Sequence, residues 1–354
     1  MKHTPLAATT PKAETPVFPF LARLMRGEDL SMKEAANFFR ALTDPGIGSN
    51  QLAAALTALT AKGETPDELA GMASVMRSLA IKVKAPEGAV DIAGTGSSKA
   101  RTFNVSTAAA LVAAGAGVTI AKQSNRGVLT KSGSSDVLSE LGVRVADDQA
   151  SAQSILGGTG LAFMSAPKFH PALRRLGDVR AKLGIRTCLN LLGLMANPAG
   201  VTHHLLGVWH KSLAAPVANA LAAIGAETAW VVIGTDGLDE ITLNGKTMVG
   251  AVKKGEVKPY TISPADFGVK PGKIEHLRTS TAKESATIIR EVLASKRRDE
   301  ARSLVIINAA AAIFISGLAN DPVQAARLAE RSIDSGMAQN KLDRLIQVTN
   351  KGTS

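Results

Sequence analysis

Three short segments rich in glycine and hydroxyl side chains lie between Asp91 and Gly142, and a helix-forming stretch follows each one. The segments are Gly94 to Ser98, Asn104 to Thr107 and Lys131 to Ser135. Helix N-termini present unpaired N–H groups and a positive dipole end, and glycine lets a phosphate approach the backbone closely. The same stretch carries three basic side chains, Lys122, Arg126 and Lys131. This pattern predicts a binding site for a ligand with several phosphates.

Two common phosphate-binding motifs do not fit this stretch. The dinucleotide fingerprint needs a third glycine where this chain has Lys99. The P-loop needs a glycine directly before its lysine, whereas Thr130 precedes Lys131 here. The sequence also contains no HExxH, CxxC or GxSxG motif, so a zinc-protease site or a serine nucleophile elbow is not expected.

The chain is basic, with 41 Lys and Arg against 30 Asp and Glu and a net charge of +11. Such a charge fits a nucleic-acid partner, a basic funnel for a polyanionic small substrate, or solubility alone. Aromatic residues make up only 3%, which leaves few side chains on which the bases of a single strand could stack. A small anionic substrate is therefore favoured over nucleic acid.

The cellular setting is indicated by the apolar and cysteine content. The longest apolar run, residues 304–319, is too short to span a bilayer comfortably and contains Asn308. The N-terminus lacks the apolar core of a secretory signal. The single Cys188 excludes an internal disulfide framework, indicates a reducing compartment, and is expected to be a buried structural residue. We therefore expect a cytoplasmic protein with no membrane partner.

The N-terminal part of the chain predicts a small helical domain. Residues 1–15 have no periodicity and are expected to be a disordered tail. Ser31 to Glu34 and Thr65 to Glu68 have the form of capping boxes, and Gly63 follows a helical pattern that begins near Gln51. Residues 16–84, with a return segment at about 185–205, are therefore predicted to form the helical domain.

Beyond residue 85 the pattern changes to short apolar runs that alternate with Ala-rich helical stretches. The predicted strands include residues 89–92, 118–121, 161–164, 230–233 and 304–307. Continuous apolar strands are typical of a sheet that is covered on both faces. The predicted fold class is thus α/β, with a mainly parallel central sheet in residues 85–184 and 206–354. Ligands of such sheets bind at the carboxyl ends of the strands, where Gly94 to Ser98 would lie.

A series of motifs resembles the anthranilate phosphoribosyltransferase family over nearly the whole chain after the tail. They are Gly94-Thr95-Gly96, Thr102-Phe103-Asn104-Val105-Ser106-Thr107, Lys122-Gln123-Ser124-Asn125-Arg126, Ser132-Gly133-Ser134-Ser135-Asp136, His170-Pro171-Ala172, Val179-Arg180, Gly184-Ile185-Arg186-Thr187, Asn197-Pro198 and Asp236-Gly237-Leu238-Asp239-Glu240. The resemblance implies transfer of a ribose 5-phosphate unit from phosphoribosyl diphosphate to an aromatic amine, with release of diphosphate. It also implies a homodimer formed through the helical domain.

The resemblance assigns roles to individual residues. The donor would be bound by Gly94, Thr95, Gly96, Ser97, Asn104, Ser106, Thr107, Lys122, Asn125, Arg126 and Ser134. The aromatic acceptor would be bound by Gly94, Asn125, His170 and Arg180, of which the last three are the candidate catalytic residues. Arginine suits this role because its planar guanidinium can bind a carboxylate through two hydrogen bonds. Arg180 could otherwise be a surface residue paired with Asp178.

Asp239 and Glu240 are adjacent carboxylates that follow a predicted strand. Hard oxygen ligands suit Mg²⁺, which keeps waters and substrate phosphates in its coordination shell. Taken alone, such a pair after a glycine is more often a solvated acidic turn. The resemblance instead assigns Mg²⁺ to Asp239, Glu240 and Ser106.

The sequence departs from the family pattern mainly near the acceptor. Gln123 replaces a histidine, Leu194 replaces a proline, and Ser97-Ser98 replaces Gly-Asp after the first glycine turn. The donor half is therefore better preserved than the acceptor half. Alternatives are the same donor with another aromatic carboxylate as acceptor, a catalytically silent relative that binds nucleic acid, or a pyrimidine nucleoside phosphorylase. The motifs at 170–172 and 186–190 fit the transferase better than the phosphorylase.

Overall fold

The computed structural model describes residues 16–96, 102–127 and 133–351 of the chain. The predicted tail, residues 1–15, lies outside these ranges. The predicted donor ligand Ser97 and the basic residue Lys131 also lie outside them.

The N-terminal region is helical, as predicted. It contains α1 (Phe18–Leu24), α2 (Met32–Thr43), α3 (Ser49–Lys62) and α4 (Pro66–Leu79). Both predicted capping boxes are present, because the hydroxyls of Ser31 and Thr65 accept from the backbone N–H of Glu34 and Glu68. Gly63 ends α3 with a φ of 88°, a conformation that favours glycine.

The rest of the described chain builds a seven-stranded sheet. Its strands are β1 (Val90–Gly94), β2 (Ile120–Ser124), β3 (Leu161–Ser165), β4 (His203–Gly207), β5 (Thr228–Gly234), β6 (Thr247–Lys253) and β7 (Glu256–Ile262). Their order across the sheet is β3-β2-β1-β4-β5-β6-β7. The first five are parallel and β6 and β7 are antiparallel, which confirms the mainly parallel sheet of the sequence-based prediction.

Further helices cover both faces of this sheet. They are α5 (Val105–Gly115), α6 (Ser134–Glu140), α7 (Gln149–Thr159), α8 (Ala166–Phe169), α9 (Arg174–Leu183), α10 (Cys188–Met195), α11 (Ala214–Ala223), α12 (Ala282–Leu293), α13 (Glu300–Ile315), α14 (Pro322–Asp334) and α15 (Met337–Thr349). Within the described ranges, no helix combines the length and the apolar composition that a membrane span requires.

Two hydrophobic cores lie on opposite faces of the sheet. One joins β1 and β2 to α5 and α13, with Ile92, Ala109 and Ile307 among its buried members. The other joins the N-terminal helices to α10, α11 and the opposite sheet face, with Phe38 and Leu192 among its members. The helical region is therefore fixed to the sheet through a shared core.

The segment that returns to the helical region differs in extent from the prediction. Helix α9 packs on α2 and α3, so the return begins before residue 185. Residues 203–205 pair in the sheet as part of β4 rather than with the helices. The buried Cys188, predicted to be structural, lies in α10 within the core that joins the two regions.

One predicted strand was wrong. Residues 304–307 lie inside α13, a helix that begins after the Asp299 cap and is buried along most of its length. A helix that is covered on all sides is apolar on all sides, so its sequence resembles a buried strand. The alanines at 309–312, which are strong helix formers, were the available signal for a helix.

Candidate active site

The carboxyl ends of β1 and β4 form the crevice at which the candidate residues meet. From β1 the chain adds β2 and β3 on one side, and it then crosses to add β4 and β5 on the other. Such a change of direction leaves an open crevice between the two central strands, where ligands of doubly wound sheets bind. Gly94 and Gly207, the last residues of β1 and β4, are paired neighbours at this point.

The acidic loop, residues 235–246 between β5 and β6, folds back over these two glycines. A Cβ on Gly207 would lie 1.6 Å from the Asp239 carbonyl oxygen, and a Cβ on Gly94 would lie 3.1 Å from it. Real side-chain carbons do not approach a carbonyl oxygen to 1.6 Å, so the loop can occupy this position only because residue 207 is glycine. The carboxyl ends of β1 and β4 and the acidic loop are therefore shaped to contact each other.

The Asp239 carboxylate organises the first predicted phosphate segment. Its Oδ2 accepts from the Thr95 hydroxyl at 2.7 Å and from the Gly96 backbone N–H at 2.8 Å. Asp239 is buried, with 5% of its surface exposed. The first glycine turn and the acidic loop, 143 residues apart in sequence, thus form one unit.

The Glu240 carboxylate contacts the second predicted segment. Its Oε1 accepts from the Ser106 backbone N–H at 3.1 Å, in the first turn of α5. Burial, together with the neighbouring charge of Asp239, raises the pKa of Glu240 to about 8, and Lys122 opposes this shift. Burial and mutual repulsion therefore disfavour the charged form of both carboxyls together, and a bound cation would favour it.

Lys122 lies in the middle of β2, and its side chain is buried beside the crevice. Its ammonium group donates to the Ile92 carbonyl oxygen and lies 3.5 Å from the Ser106 hydroxyl. Burial lowers the pKa of Lys122, while the Asp91 and Glu240 carboxylates act to raise it. Lys122 thus supplies positive charge next to Ser106 and Glu240 rather than serving as a surface lysine.

The N-terminus of α5 is held by a residue that the sequence did not single out. The Ser285 hydroxyl in α12 donates to the Asn104 Oδ1 at 3.0 Å and accepts from the Asn104 backbone N–H at 2.9 Å. Ser106 is half-buried, whereas Thr107 is fully buried and its hydroxyl has no hydrogen-bond partner within the described ranges. The role predicted for Thr107 through its side chain therefore stays a prediction.

The turn after β2 packs against the start of α6. The Ser134 hydroxyl lies 2.9 Å from the Ser124 hydroxyl and accepts from the Asn125 backbone N–H at 3.2 Å. A Cβ on Gly133 would lie 2.3 Å from the Asn125 carbonyl oxygen, so this contact also depends on glycine. Asn125 and Arg126 are exposed at the edge of the crevice, where a ligand could reach them.

Arg180 lies in α9, next to Cys188 of α10, and is half-buried. Burial lowers the pKa of its guanidinium, and its Nε has no hydrogen-bond partner among the residues that the structure describes. No ion pair with Asp178 is formed in these ranges, so the surface-pair alternative is not supported. A half-buried guanidinium whose buried Nε donor is unused is suited to an anionic ligand.

His170 is buried and contacts Gln123. Its Nε2 lies 3.2 Å from Gln123 Oε1, and Gln123 Nε2 donates to the Gly193 carbonyl oxygen at 3.2 Å. Burial lowers the pKa of His170 to about 4, so the ring is neutral at physiological pH. Because Gln123 Oε1 can only accept, the His170 proton lies on Nε2. Gln123 thereby links β2 to Gly193 of α10. Cys188, which lies beside Arg180, is in the same helix, about 7.5 Å along its axis from Gly193.

The acidic loop fits the ligand set of Mg²⁺. Asp239, Glu240 and the Ser106 hydroxyl are all hard oxygen donors, and Thr95, Gly96 and the Ser106 amide orient the two carboxylates. No cluster of three or more His, Cys, Asp or Glu that could hold a metal occurs in the described part of the chain. A cation here would therefore depend on water and substrate oxygens for the rest of its coordination shell.

The fold and this crevice are those of a two-domain glycosyl transferase. The sequence matches the glycosyl transferase family α/β domain over residues 86–339 and the family's helical bundle domain over residues 18–80.

Curated relatives and solved structures narrow the family further. The anthranilate phosphoribosyltransferases of Azorhizobium caulinodans and Rubrobacter xylanophilus are each 42% identical to the chain, over 94% of its length and 96% and 97% of theirs. The crystal structure of anthranilate phosphoribosyltransferase from Thermus thermophilus superposes with a TM-score of 0.87 at 34% identity, covering 93% of this chain and 98% of that one. The Saccharomyces cerevisiae enzyme in complex with PRPP and Mg superposes with a TM-score of 0.85 at 26% identity, covering 95% and 98%. The chain belongs to the anthranilate phosphoribosyltransferase family.

Proposed function

We propose that the protein transfers the phosphoribosyl group of phosphoribosyl diphosphate (PRPP) to the amine of anthranilate and releases diphosphate, a step of tryptophan biosynthesis. The observation that carries the proposal is the convergence of the acid pair with the first two phosphate segments. Asp239 bonds to Thr95 and Gly96, and Glu240 bonds to Ser106. The relatives that share this fold over nearly their whole length are named for the same activity.

On the donor side, the work of the protein is electrostatic. Lys122, Arg126 and the positive N-terminal end of α5 supply the positive charge for the place where negative charge develops as diphosphate departs. Asn104, oriented by Ser285, and Ser134, oriented by Ser124, supply further polar contacts at the same edge. Asp239, Glu240 and Ser106 would hold Mg²⁺, which would neutralise phosphate charge and make diphosphate a better leaving group. No protein nucleophile is required.

On the acceptor side, we assign the carboxylate of anthranilate to Arg180. The buried Nε of Arg180 lacks a partner in the described ranges, and a carboxylate would satisfy it with a charge-assisted hydrogen bond. Asn125, exposed at the end of β2, would contact the amine side of the same molecule. The reaction then depends on holding a weak nucleophile next to the sugar rather than on activating it chemically.

We assign His170 a positioning role in place of proton transfer. It is neutral, buried and hydrogen-bonded through Nε2 to Gln123, so it has no proton to give to the cleft. The Gln123 amide fixes the distance between β2 and α10, and hence between Asn125 and the helix beside Arg180.

We also propose a homodimer formed through the helical domain. Phe18, the first residue of α1, and Met25, which caps its C-terminus, are 51% and 75% exposed and lie seven positions apart, which places them on the same side of the helix. Light scattering of the native chain should give the mass of a dimer, and Phe18→Glu/Met25→Glu should give the mass of a monomer. The cytoplasmic location suggested by the single Cys188 stays a prediction.

The test of the proposed function is diphosphate release from PRPP and Mg²⁺, measured with anthranilate, without acceptor, and with other aminobenzoates. We expect release to require anthranilate and to yield the phosphoribosyl adduct in equal amount. Preferential release with a different aromatic carboxylate would identify another acceptor. No release with any acceptor, combined with steeply salt-dependent DNA binding, would support the nucleic-acid alternative.

A further inference from the structure

Asn308 is a buried polar residue in the middle of the apolar helix α13. Asparagine is a weak helix former because its side chain competes for backbone hydrogen bonds, so its position here requires a reason. Its Nδ2 donates to the Leu304 carbonyl oxygen one turn earlier, at 2.9 Å. That bond uses one of the two N–H donors of the amide. The second N–H and Oδ1 remain for partners outside the helix.

The remaining atoms of the Asn308 amide bind the backbone of Ile241. The Ile241 N–H donates to Asn308 Oδ1 at 2.9 Å, and Asn308 Nδ2 donates to the Ile241 carbonyl oxygen at 2.9 Å. This reciprocal pair is the pattern that two neighbouring β-strands would form. Ile241 directly follows Glu240, so Asn308 holds the two peptide groups that come next after the acid pair.

The acidic loop needs such a support because it has no regular structure of its own. Residues 238–242 belong to no helix or strand, although both members of the acid pair are buried. Asp239 is fixed from the crevice side by Thr95 and Gly96, and Asn308 fixes the loop from the opposite, core side. Both carboxylates therefore lie on a loop that is held between the carboxyl ends of β1 and β4 on one side and α13 on the other.

We propose that Asn308 is a positioning residue for the metal-binding acid pair, acting through the Ile241 backbone. The inference rests on the proposed function, because it concerns how the same site holds Mg²⁺ and PRPP. Removal of a residue that orients a metal ligand usually lowers metal affinity or activity by about 10- to 100-fold. A loop that is free to shift by about 1 Å is enough to produce a loss of that size.

The experiment compares Asn308→Ala and Asn308→Asp with Thr159→Val. Asn308→Ala removes all three hydrogen bonds, and Asn308→Asp keeps the shape and the Oδ1 acceptor but loses the donors. Thr159 is the matched control, because its buried hydroxyl also bonds backbone groups, those of Ile155 and Leu161, at the amino end of β3. Thermal unfolding of the three variants shows how much stability each change removes.

The decisive readouts are the Mg²⁺ concentration for half-maximal diphosphate release and the binding of Mn²⁺ with PRPP, followed by electron paramagnetic resonance. We expect both Asn308 variants to require about tenfold more metal and to bind Mn²⁺ correspondingly more weakly, with the KM for anthranilate unchanged. We expect Thr159→Val to lose stability without a change in metal dependence.

An Asn308 variant with native metal dependence, or a Thr159 variant with an equal shift, would overturn the inference while leaving the proposed function intact. Inactivity of the native chain with normal Mn²⁺ binding would instead count against the proposed function alone. If neither Asn308 variant folds, hydrogen exchange of the native chain decides. The Ile241 amide should exchange as slowly as the α13 core, and fast exchange would contradict the inference.

Discussion

Replacement of Gly207 by alanine tests whether the contact between the carboxyl end of β4 and the acidic loop is needed for activity. The new Cβ would lie 1.6 Å from the Asp239 carbonyl oxygen and 2.5 Å from its carbonyl carbon. To restore ordinary contact at 3.4 Å, the carbonyl must retreat by about 1.8 Å, and because both atoms are backbone, no side-chain rotation can relieve the overlap.

A shift of that size breaks the hydrogen bonds that join the loop to the first phosphate segment. Thr95 and Gly96 now lie 2.7 and 2.8 Å from Asp239 Oδ2, and a displacement of about 1.8 Å takes both distances beyond hydrogen-bonding range. We expect kcat/KM for PRPP to fall by at least about 100-fold, since a displacement of about 1 Å already costs that much in comparable sites. Overpacking should lower the free energy of unfolding by about 1–3 kcal/mol.

The assay is Mg²⁺-dependent diphosphate release at varied PRPP, with Gly157→Ala as the control. Gly157 lies in α7, and a Cβ there would meet no atom within 4 Å. The control should therefore keep its activity and gain slight stability from the better helix former. A folded Gly207→Ala protein with activity within twofold of the native chain would refute the reasoning.

Three further outcomes follow from the same site and its surroundings. Arg180→Lys should raise the KM for anthranilate by at least about tenfold and leave the KM for PRPP unchanged, because a lysine cannot reproduce the planar fork; equal rises in both constants would contradict the assignment. Ser285→Ala should raise the KM for PRPP several-fold, since it releases the Asn104 side chain and backbone, and a change in anthranilate kinetics alone would be inconsistent with it. Burial lowers the pKa of His204 from 6.5 to about 3. As the pH is lowered below about 6.5, only the unfolded chain binds this proton, and the free energy of unfolding therefore decreases. Burial raises the pKa of Asp91 to about 6, which acts in the opposite direction between pH 6 and 4, because the folded carboxyl takes up its proton first. Asp91→Asn should therefore steepen the loss of stability in that window in denaturant titrations, and an unchanged slope would argue against it.

Local signals predicted the parts of the fold that depend on neighbouring residues. The Ser31 and Thr65 caps, the glycine that ends α3 and the apolar strands β1, β3 and β5 could each be located from a few adjacent positions. The run at 304–307 was misassigned because periodicity cannot distinguish a buried strand from a helix buried on all sides. Strand β7 has the exposed, Pro-containing sequence of an edge strand, with Pro259 in its middle, and lacks the apolar run that marks the central strands.

The site was predictable where a residue has a recognisable chemical role and not where it supports another residue. Glu240, Ser106 and Lys122 lie close together, and Asp239 lies beside them, as the resemblance implied, while their roles stay predictions. Gly207, Ser285 and Asn308 were missed because their partners lie far away in sequence, and a glycine, serine or asparagine has many ordinary uses. Only the folded chain shows that a Cβ at 207 would overlap Asp239 or that Asn308 bonds to Ile241.

The exposed location of Asn125 and Arg126 contrasts with the burial of His170. The resemblance assigned His170 to the acceptor pocket, and that role stays a prediction; its Nε2 contacts Gln123, and burial lowers its pKa to about 4. The replacement of the family's histidine by Gln123 therefore links β2 and α10 through an uncharged amide. The pH dependence of anthranilate binding should accordingly reflect the substrate rather than a histidine.

The most direct measurement of the central claim is diphosphate release by Asp239→Asn/Glu240→Gln at a fixed Mg²⁺ concentration and varied PRPP. The double variant keeps the size of both side chains and removes the charge that a cation needs. We predict a loss of roughly a thousandfold in kcat/KM for PRPP, with native thermal stability. Activity within a few-fold of the native chain would contradict the claim that this acid pair holds the metal on which diphosphate release depends.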